Sequence, residues 1–516
     1  MSSTPQPHQK PTVTVTPPTG AMVDKADAGY QKGLKTRHIR MIAIGGSIGT
    51  GLFLGAGGRL AKGGPALAIS YAICGIFAFI MVRALGELSV RRPSSGAFVS
   101  YAREFMGEKG AFVTGWLFFL DWCTTVMADI TAVALYLHYW TFFEPIPQWV
   151  LAMIALAVVF ALNMFSVKFF GEAEFWFAAI KVAAIVIFMV VAIWAILTGH
   201  AVGNDTAGFA NLTNHDGFFP MGVAPMLTLS LGVIFAFGGT EMVGVAAGEA
   251  KDAVKILPKA VNSMIVRIFV FYVGSVLLMT LVLPWTAYSD DESPFVTFFS
   301  RIGVPHAGDI MEVVVLTAAL SSLNAGLYAT GRTLRSMSVA GEAPRFASRL
   351  NKHHVPYGGI MITAVLGLIG VLINYVYPSD AFEIVMNLAG IGIAGTWISI
   401  LVSHLIFTRR AAKGLEQRPS YRLRGAPVTN VIAIAFFVTV IGSMWFDPDV
   451  GRKTIYMFFG VVALMIIGWF AVRKRVRGDL MDAILDDADQ EAIAPSTSTN
   501  ATSTNATPDE SGNDKQ

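Results

Sequence analysis

The sequence predicts an all-α polytopic membrane protein with twelve transmembrane helices, of which the first and sixth are broken near their centres. Three observations support this fold class. The 516 residues are 54% hydrophobic and only 14% charged, with a mean hydropathy of +0.57, whereas soluble proteins carry about 25% charged residues. Apolar stretches long enough to span a bilayer recur along the chain. Glycines cluster inside two of those stretches.

Stretches of about 20 apolar residues are typical of membrane helices. We place twelve of them, at residues 39–61, 65–90, 112–140, 146–167, 175–199, 222–247, 262–284, 309–338, 358–377, 382–407, 427–446 and 454–473. The first span follows a long polar leader and has no cleavage site of small residues, so we do not expect a signal peptide.

Lysine and arginine predict the orientation of these spans. Loops after even-numbered spans contain 19 of these residues, and loops after odd-numbered spans contain five. Positive charge is enriched in cytoplasmic loops, so we expect the even loops and both termini in the cytoplasm. One membrane domain is expected over residues 31–477. The tails, residues 1–30 and 478–516, have compositions typical of disorder.

The spans divide into two predicted halves of opposite topology. Repeat one covers about 39–199 and repeat two about 222–407, with five spans in each. The first span of each half is interrupted. Inverted repeats with interrupted helices are typical of secondary transporters, and the interruptions mark the substrate site. Spans 11 and 12, at about 427–473, fall outside the repeat and are expected to be peripheral.

The two breaks offer main-chain groups to a ligand. The candidate binding residues are Ile44, Ser47, Ile48, Gly49, Thr50 and Gly51 in the first span, and Phe235, Ala236 and Gly238 in the sixth. Helix N-termini present free N–H groups and partial positive charge, so the segment 48–51 suits an α-carboxylate. Carbonyls around Ile44, Phe235 and Ala236 suit an α-ammonium. The alternative is that the glycines only permit close helix packing.

Ionisable residues inside spans are costly and usually functional. Asp129 in the third span is a candidate for contacting the substrate's distal group or the first span; the alternative is a structural hydrogen bond. Asp121, eight residues earlier, is a weaker candidate. Glu241 ends the sixth-span break and either carries a proton or caps the turn. Lys181 in the fifth span either extends to the membrane surface, replaces a bound cation or carries the coupling proton.

Other polar and aromatic residues have two interpretations each. Phe235 beside the break either covers the ligand or packs. Ser321, Ser322 and Asn324 either line the cavity or bond a neighbouring helix. Arg83 and Glu87, four residues apart, are predicted to form a structural ion pair.

The sequence lacks the patterns expected of a membrane enzyme. It shows no metal-ligand cluster, nucleophile motif or phosphate-binding loop, so we expect no catalytic residue, cofactor or metal, and no nucleic-acid partner. Its expected partners are an amino acid, protons and the lipid bilayer.

Several long motifs resemble a known family. They are Ile44-Gly-Gly-Ser-Ile-Gly-Thr-Gly-Leu-Phe-Leu-Gly, Gly86-Glu-Leu, Pro93-Ser-Ser-Gly-Ala-Phe, Phe235-Ala-Phe-Gly-Gly-Thr-Glu, Ala247-Gly-Glu-Ala-Lys and Ser321-Ser-Leu-Asn-Ala-Gly-Leu-Tyr. The chain is similar through them to the amino acid permeases of the amino acid–polyamine–organocation superfamily, from about Gly33 to Arg477. The resemblance implies the leucine-transporter-like fold.

Within that family, three segments most resemble the bacterial members that carry L-asparagine. They are Asp129–Trp140, Ser293–Ser300 and Val314–Asn324. The resemblance implies proton-coupled uptake across the plasma membrane by alternating access. It also implies that Lys181 stands in for sodium and that Phe235 is a gating aromatic. Asp121 departs from the family pattern, so no role for it follows from the resemblance.

Alternatives to this function stay open at the level of the sequence. The same fold could carry glycine, D-serine, D-alanine, a branched or aromatic amino acid or γ-aminobutyrate, because main-chain groups at the breaks ignore the side chain. A non-transporting nutrient receptor is a further alternative.

Overall fold

The computed structural model describes residues 48–94, 96–164, 167–244, 253–351 and 355–476. The predicted tails lie outside these residues. The described chain is mostly helical, with nine helices long and apolar enough to cross a membrane and two shorter apolar helices. This confirms the expectation of a mostly helical polytopic membrane protein.

The helices follow one another with short connections. In the first half they are α1 (Thr50–Phe53), α2 (Gly55–Gly63), α3 (Leu67–Arg91), α4 (Ala97–His138), α5 (Gln148–Asn163) and α6 (Val167–Thr198). In the second half they are α7 (Pro225–Ala236), α8 (Ala253–Arg267), α9 (Ser275–Val282), α10 (Pro294–Arg301), α11 (Ala307–Val339), α12 (Tyr357–Val376), α13 (Ala381–Ala412), α14 (Val428–Ser443) and α15 (Gly451–Val472). A small hairpin pairs β1 (Ala201–Val202) with β2 (Asp205–Thr206).

Two long helices, α4 and α13, form the centre of the bundle. In each, 89% of the most apolar stretch is buried, against 6% in α15. Small residues allow the close approach of these two helices: a Cβ on Gly392 of α13 would lie 2.9 Å from the Cα of Asp121 on α4. The polar residues on the facing surfaces of α4 and α13 are therefore enclosed by protein.

The outer helices present apolar side chains outward, as a bilayer requires. Ile69, Ile73 and Ile76 on α3 are exposed at helical spacing, and α15 exposes Phe459, Leu464 and Ile467. Such a continuous apolar surface is not tolerated in water. The structure therefore has the surface of a protein that lies in lipid.

Three predicted spans differ in their limits from the helices. The third, at 112–140, begins earlier, because α4 continues from Ala97 through a kink where Gly107 has a φ of 76°. The fifth, at 175–199, begins at Val167. The seventh, at 262–284, lies within a longer run in which a π-helical turn, Ile268–Gly274, joins α8 to α9. Polar first turns hid these helix starts from hydropathy.

The sixth apolar stretch is interrupted where the sequence places a break. Helix α7 ends at Ala236, and residues 237–241 form turns before the chain becomes helical again at 242–244. Gly239 has a φ of 85°, a conformation that favours glycine because it has no Cβ. The main chain at this position is therefore available for contacts other than helix hydrogen bonds.

The predicted ion pair between Arg83 and Glu87 is wrong. The Arg83 guanidinium donates to Asn262 Oδ1 and to the Arg422 carbonyl. The fully buried Glu87 instead accepts hydrogen bonds from Arg418 at 2.7 Å and from His404 at 2.9 Å. A long-range partner replaced the local one because the chain after α13 folds back over α3.

Candidate functional site

Helix α1 packs against the end of α7 at very short range. A Cβ on Gly51 would lie 2.6 Å from the Ala236 Cα and 2.9 Å from a ring carbon of Phe235. Real Cβ atoms do not approach main chain so closely, so only glycine fits at this position. The interruption of the sixth stretch thus meets the first described turn of the chain, as the sequence predicts.

A cavity lies at this junction. Its wall consists of Gly49, Thr50, Gly51, Asp121, Trp122, Thr125, Phe235, Ala236, Gly238, Gly239, Ser322 and Ile393. Seven of the predicted site residues are in this list, contributed by α1 and the residue before it, the α7 end and α11. The structure also adds residues of α4 and α13 that the sequence did not single out as binding residues.

Asp129 connects α4 to the start of α1. The Thr50 hydroxyl donates to Asp129 Oδ1 at 2.7 Å, and both side chains are buried. Ser322 of α11 lies beside the same carboxylate, but Oδ2 accepts no hydrogen bond of ordinary geometry from the described residues. Asp129 is not part of the cavity wall, so in this structure it contacts the first span and not the space beside it.

Lys181 takes part in a buried polar chain between α6 and α11. Its ammonium donates to Ser321 Oγ at 2.9 Å, and the Ser321 hydroxyl donates to Glu174 Oε1 at 2.8 Å. All three side chains are buried. The Lys181 charge also acts on Asp129. Lys181 therefore points into the protein and does not extend to the membrane surface.

Sequence reasoning missed Glu174. It precedes Lys181 by seven residues, which is two helical turns and therefore the same face of α6. A second buried ionisable residue on the face of Lys181 was a detectable signal, but hydropathy placed the start of the span beside it. The structure shows that the positive charge of Lys181 is balanced by a carboxylate.

Glu241 stabilises the turn after α7. Its Oε1 accepts from the Gly239 N–H at 3.1 Å, and its Oε2 accepts from the Trp397 indole N–H at 3.1 Å. Both oxygens are thus engaged, and the residue is fully buried. Of the two interpretations drawn from the sequence, these contacts match the capping role. Trp397 of α13 was not foreseen, because nothing in its sequence context marks it.

The remaining predicted residues separate into three groups. Asn324 accepts a hydrogen bond from Asn163 of α5 at 2.8 Å and is not on the cavity wall. Ile48 is buried at the start of the described chain. Ile44 and Ser47 lie outside the described residues. The Phe235 carbonyl, expected to be free, accepts the Gly238 N–H at 3.0 Å, so the Ala236 carbonyl is the better acceptor for a ligand.

Ion pairs at the far end of α2 link it to α13 and to the segment before α10. The Lys62 ammonium lies 2.5 Å from Glu383 and 3.2 Å from Asp290. Beneath it, Arg59 is buried and donates to the Gly55 carbonyl at 2.7 Å. These contacts cover one end of the space between α2 and α13.

Such a bundle, with an interrupted helix meeting a glycine-rich turn at a buried polar cavity, defines a multi-pass membrane protein of the solute-transporter class. Comparison with known proteins gives the particular family. The model of the amino acid permease family matches residues 38–481, and the chain belongs to this family.

Curated relatives cover nearly the same length. An L-asparagine permease of Streptomyces coelicolor is 58% identical over 453 residues, which is 88% of this chain and 93% of the relative. An L-asparagine permease of Escherichia coli is 52% identical over 465 residues, 90% of this chain and 93% of the relative. L-asparagine permease 1 of Mycobacterium tuberculosis is 51% identical over 450 residues, covering 87% and 92%.

Proposed function

We propose that the protein is a proton-coupled symporter that imports L-asparagine across the bacterial cell membrane by alternating access. The names of the relatives support the substrate, at 50–58% identity over most of the chain. The observation that carries the proposal is the junction of Gly51 with Phe235 and Ala236, which places main-chain groups of two interrupted segments around one buried cavity.

The junction can hold a zwitterion without a charged side chain at each pole. Residues 49–51 begin a helical segment whose first N–H groups have no intrahelical acceptor, and such groups suit a carboxylate. The Ala236 carbonyl at the end of α7 suits an ammonium, together with carbonyls around Ile44. Phe235 lies on the cavity wall beside them, where closing over the bound molecule would exclude water.

Alternating access requires contacts that form and break on the two sides of this cavity. We assign twelve spans in a five-plus-five inverted repeat, with both termini in the cytoplasm and α14 and α15 as peripheral helices. In this topology Lys62 and Glu383 face the outside, so their ion pair closes the outer entrance. The cluster of Glu87, His404 and Arg418 lies on the cytoplasmic side.

Lys181 is assigned the place of a coupling cation. Its ammonium lies between Ser321 and, more remotely, Glu174 and Asp129, an oxygen-rich surrounding of the kind that holds a small cation. A protonatable ammonium there can carry the coupling charge, and Glu241 is the second candidate. A cytosol-negative potential of about 100 mV contributes about 2.3 kcal/mol for each positive charge imported.

Uptake by purified protein in liposomes tests this function. With an inwardly directed proton gradient, labelled L-asparagine should accumulate, and a proton ionophore should abolish accumulation while leaving exchange of internal for external asparagine. Equal accumulation with and without the ionophore would contradict coupling. Unlabelled amino acids added in excess distinguish the substrates: a rival that competes when asparagine does not would replace it. Binding without any uptake would indicate a receptor.

A further inference from the structure

Asp121 is the charged side chain on the wall of the central cavity, among the twelve described residues that form it. Asp129, which the sequence favoured for the substrate's distal group, is bonded to Thr50 behind that wall. The residue that projects charge into the cavity is therefore one helical face away from the residue expected.

The Asp121 carboxylate has spare hydrogen-bonding capacity. The Thr125 hydroxyl donates to Oδ1 at the long distance of 3.4 Å, and no other described residue donates to this carboxylate. A carboxylate can accept about four hydrogen bonds. A buried one with so few donors has its remaining acceptors aimed at whatever occupies the adjoining space.

The position of this carboxylate is fixed by close packing. The main chain of Asp121 lies against Gly392 of α13, where a Cβ would be 2.7 Å from the Asp121 nitrogen. Glu241, in the turn after α7, lies near enough for its charge to act on Asp121. The wall opposite the α1 start thus carries acceptors and negative charge, which favours a donor group and disfavours an anion.

We propose that Asp121 is a specificity-determining residue, which accepts a hydrogen bond from the side-chain amide of the substrate and excludes side chains that are anionic or lack a donor. The inference deepens the proposed function and depends on it. An amide –NH₂ offers two donors where aspartate offers a second carboxylate. The main-chain groups at the junction hold any amino acid, whereas Asp121 distinguishes amide from acid.

Competition against labelled L-asparagine in proteoliposomes tests the proposal first with the unmodified protein. The probes are L-aspartate and β-cyano-L-alanine, whose nitrile has nearly the length of the amide but donates no hydrogen bond. We expect each to bind at least about tenfold more weakly than asparagine, the factor that a hydrogen bond to a charged group supplies. Equal competition by β-cyano-L-alanine would overturn the proposal without any variant.

The variants Asp121→Asn and Asp121→Ala then identify the residue. Both should raise the KM for asparagine at least about tenfold. Asp121→Asn, which can donate, should also make aspartate a competitor. Asp380→Asn, an exposed aspartate paired with Lys453, is the matched control and should keep the wild-type ratios. An unchanged ratio of asparagine to aspartate in Asp121→Asn overturns the inference. Failure of the wild type to accumulate asparagine would instead overturn the proposed function.

Discussion

The Thr50 hydroxyl and the Asp129 carboxylate are joined by a buried hydrogen bond of 2.7 Å, which fixes the first described turn of the chain to the central helix α4. Because Thr50 lies on the cavity wall and Asp129 lies behind it, this bond positions the main-chain N–H groups that we assign to the substrate carboxylate. Asp129 therefore acts through Thr50.

Replacing Thr50 by valine should lower the affinity for asparagine. The substitution preserves shape but leaves a buried carboxylate oxygen without its donor, which costs about 1.5–3 kcal/mol for a charged partner. We expect a KM for uptake at least about tenfold higher, with Thr50→Ser close to the wild type because it retains the hydroxyl. Equal KM values for the valine and serine variants would contradict the positioning role.

Gly51→Ala should abolish uptake. The added methyl group would lie 2.6 Å from the Ala236 Cα, so α1 and α7 would have to separate at the cavity. We expect uptake to fall by at least about tenfold, since misplacing binding groups by a fraction of an ångström has effects of this order. The measurement is the initial rate of labelled asparagine uptake, normalised to the amount of protein in the liposomes.

Gly460 provides a matched control for this prediction. It lies on the peripheral helix α15, and a Cβ there would meet nothing within 4 Å. Gly460→Ala should therefore transport like the wild type. If Gly51→Ala also does, then the short contact between α1 and α7 has no role in transport.

Lys181→Met should destabilise the protein unless Glu174 is neutralised as well. The lysine is buried and reaches Glu174 through Ser321, so its removal leaves a buried carboxylate uncompensated, at a cost of about 3–5 kcal/mol for a broken pair. We expect a clearly lower Tm in detergent for Lys181→Met and a partial recovery in the Lys181→Met, Glu174→Gln double variant. Additive losses in the double variant would show that the two charges are independent.

Transport distinguishes a coupling role of Lys181 from a structural one. In the double variant the fold is retained but the cationic group is absent. We expect it to exchange asparagine across the membrane and to lose the acceleration of net uptake by an inward proton gradient. Gradient-driven accumulation at the wild-type level would remove Lys181 from the coupling mechanism and leave Glu241 as the candidate.

Much of the site could be predicted because its signals are local. Glycine inside an apolar stretch marks the places where main chain meets main chain, and both Gly51 and the turn after Ala236 are found there. Lys181 could be identified as a buried cation because an ionisable residue in a span rarely lacks a function.

The partners of these residues could not be predicted, because they depend on how distant helices pack. Glu241 is capped by Trp397, 156 positions away, and Glu87 selects Arg418, 331 positions away, over Arg83 in the next turn. Asp121 and Asp129 are two turns apart on one helix, so their sequence context is alike. Only the packing of Thr50 and Gly392 against α4 assigns one to the framework and the other to the cavity.

The pair of Glu87 and Arg418 should be the strongest single contact of the chain segment that follows α13. Glu87 is fully buried and accepts two hydrogen bonds from this guanidinium, at 2.7 and 2.9 Å, as well as the Leu423 N–H and His404. Arg418→Met should lower the free energy of unfolding by about 2–3 kcal/mol, the range for hydrogen bonds to a buried charge, measured as a loss of Tm in detergent. Lys453→Met is the control, because the Lys453–Asp380 pair is about half exposed and pairs of this kind contribute less than about 1 kcal/mol. If the two variants lose equal Tm, the segment is held by its apolar contacts and not by Glu87.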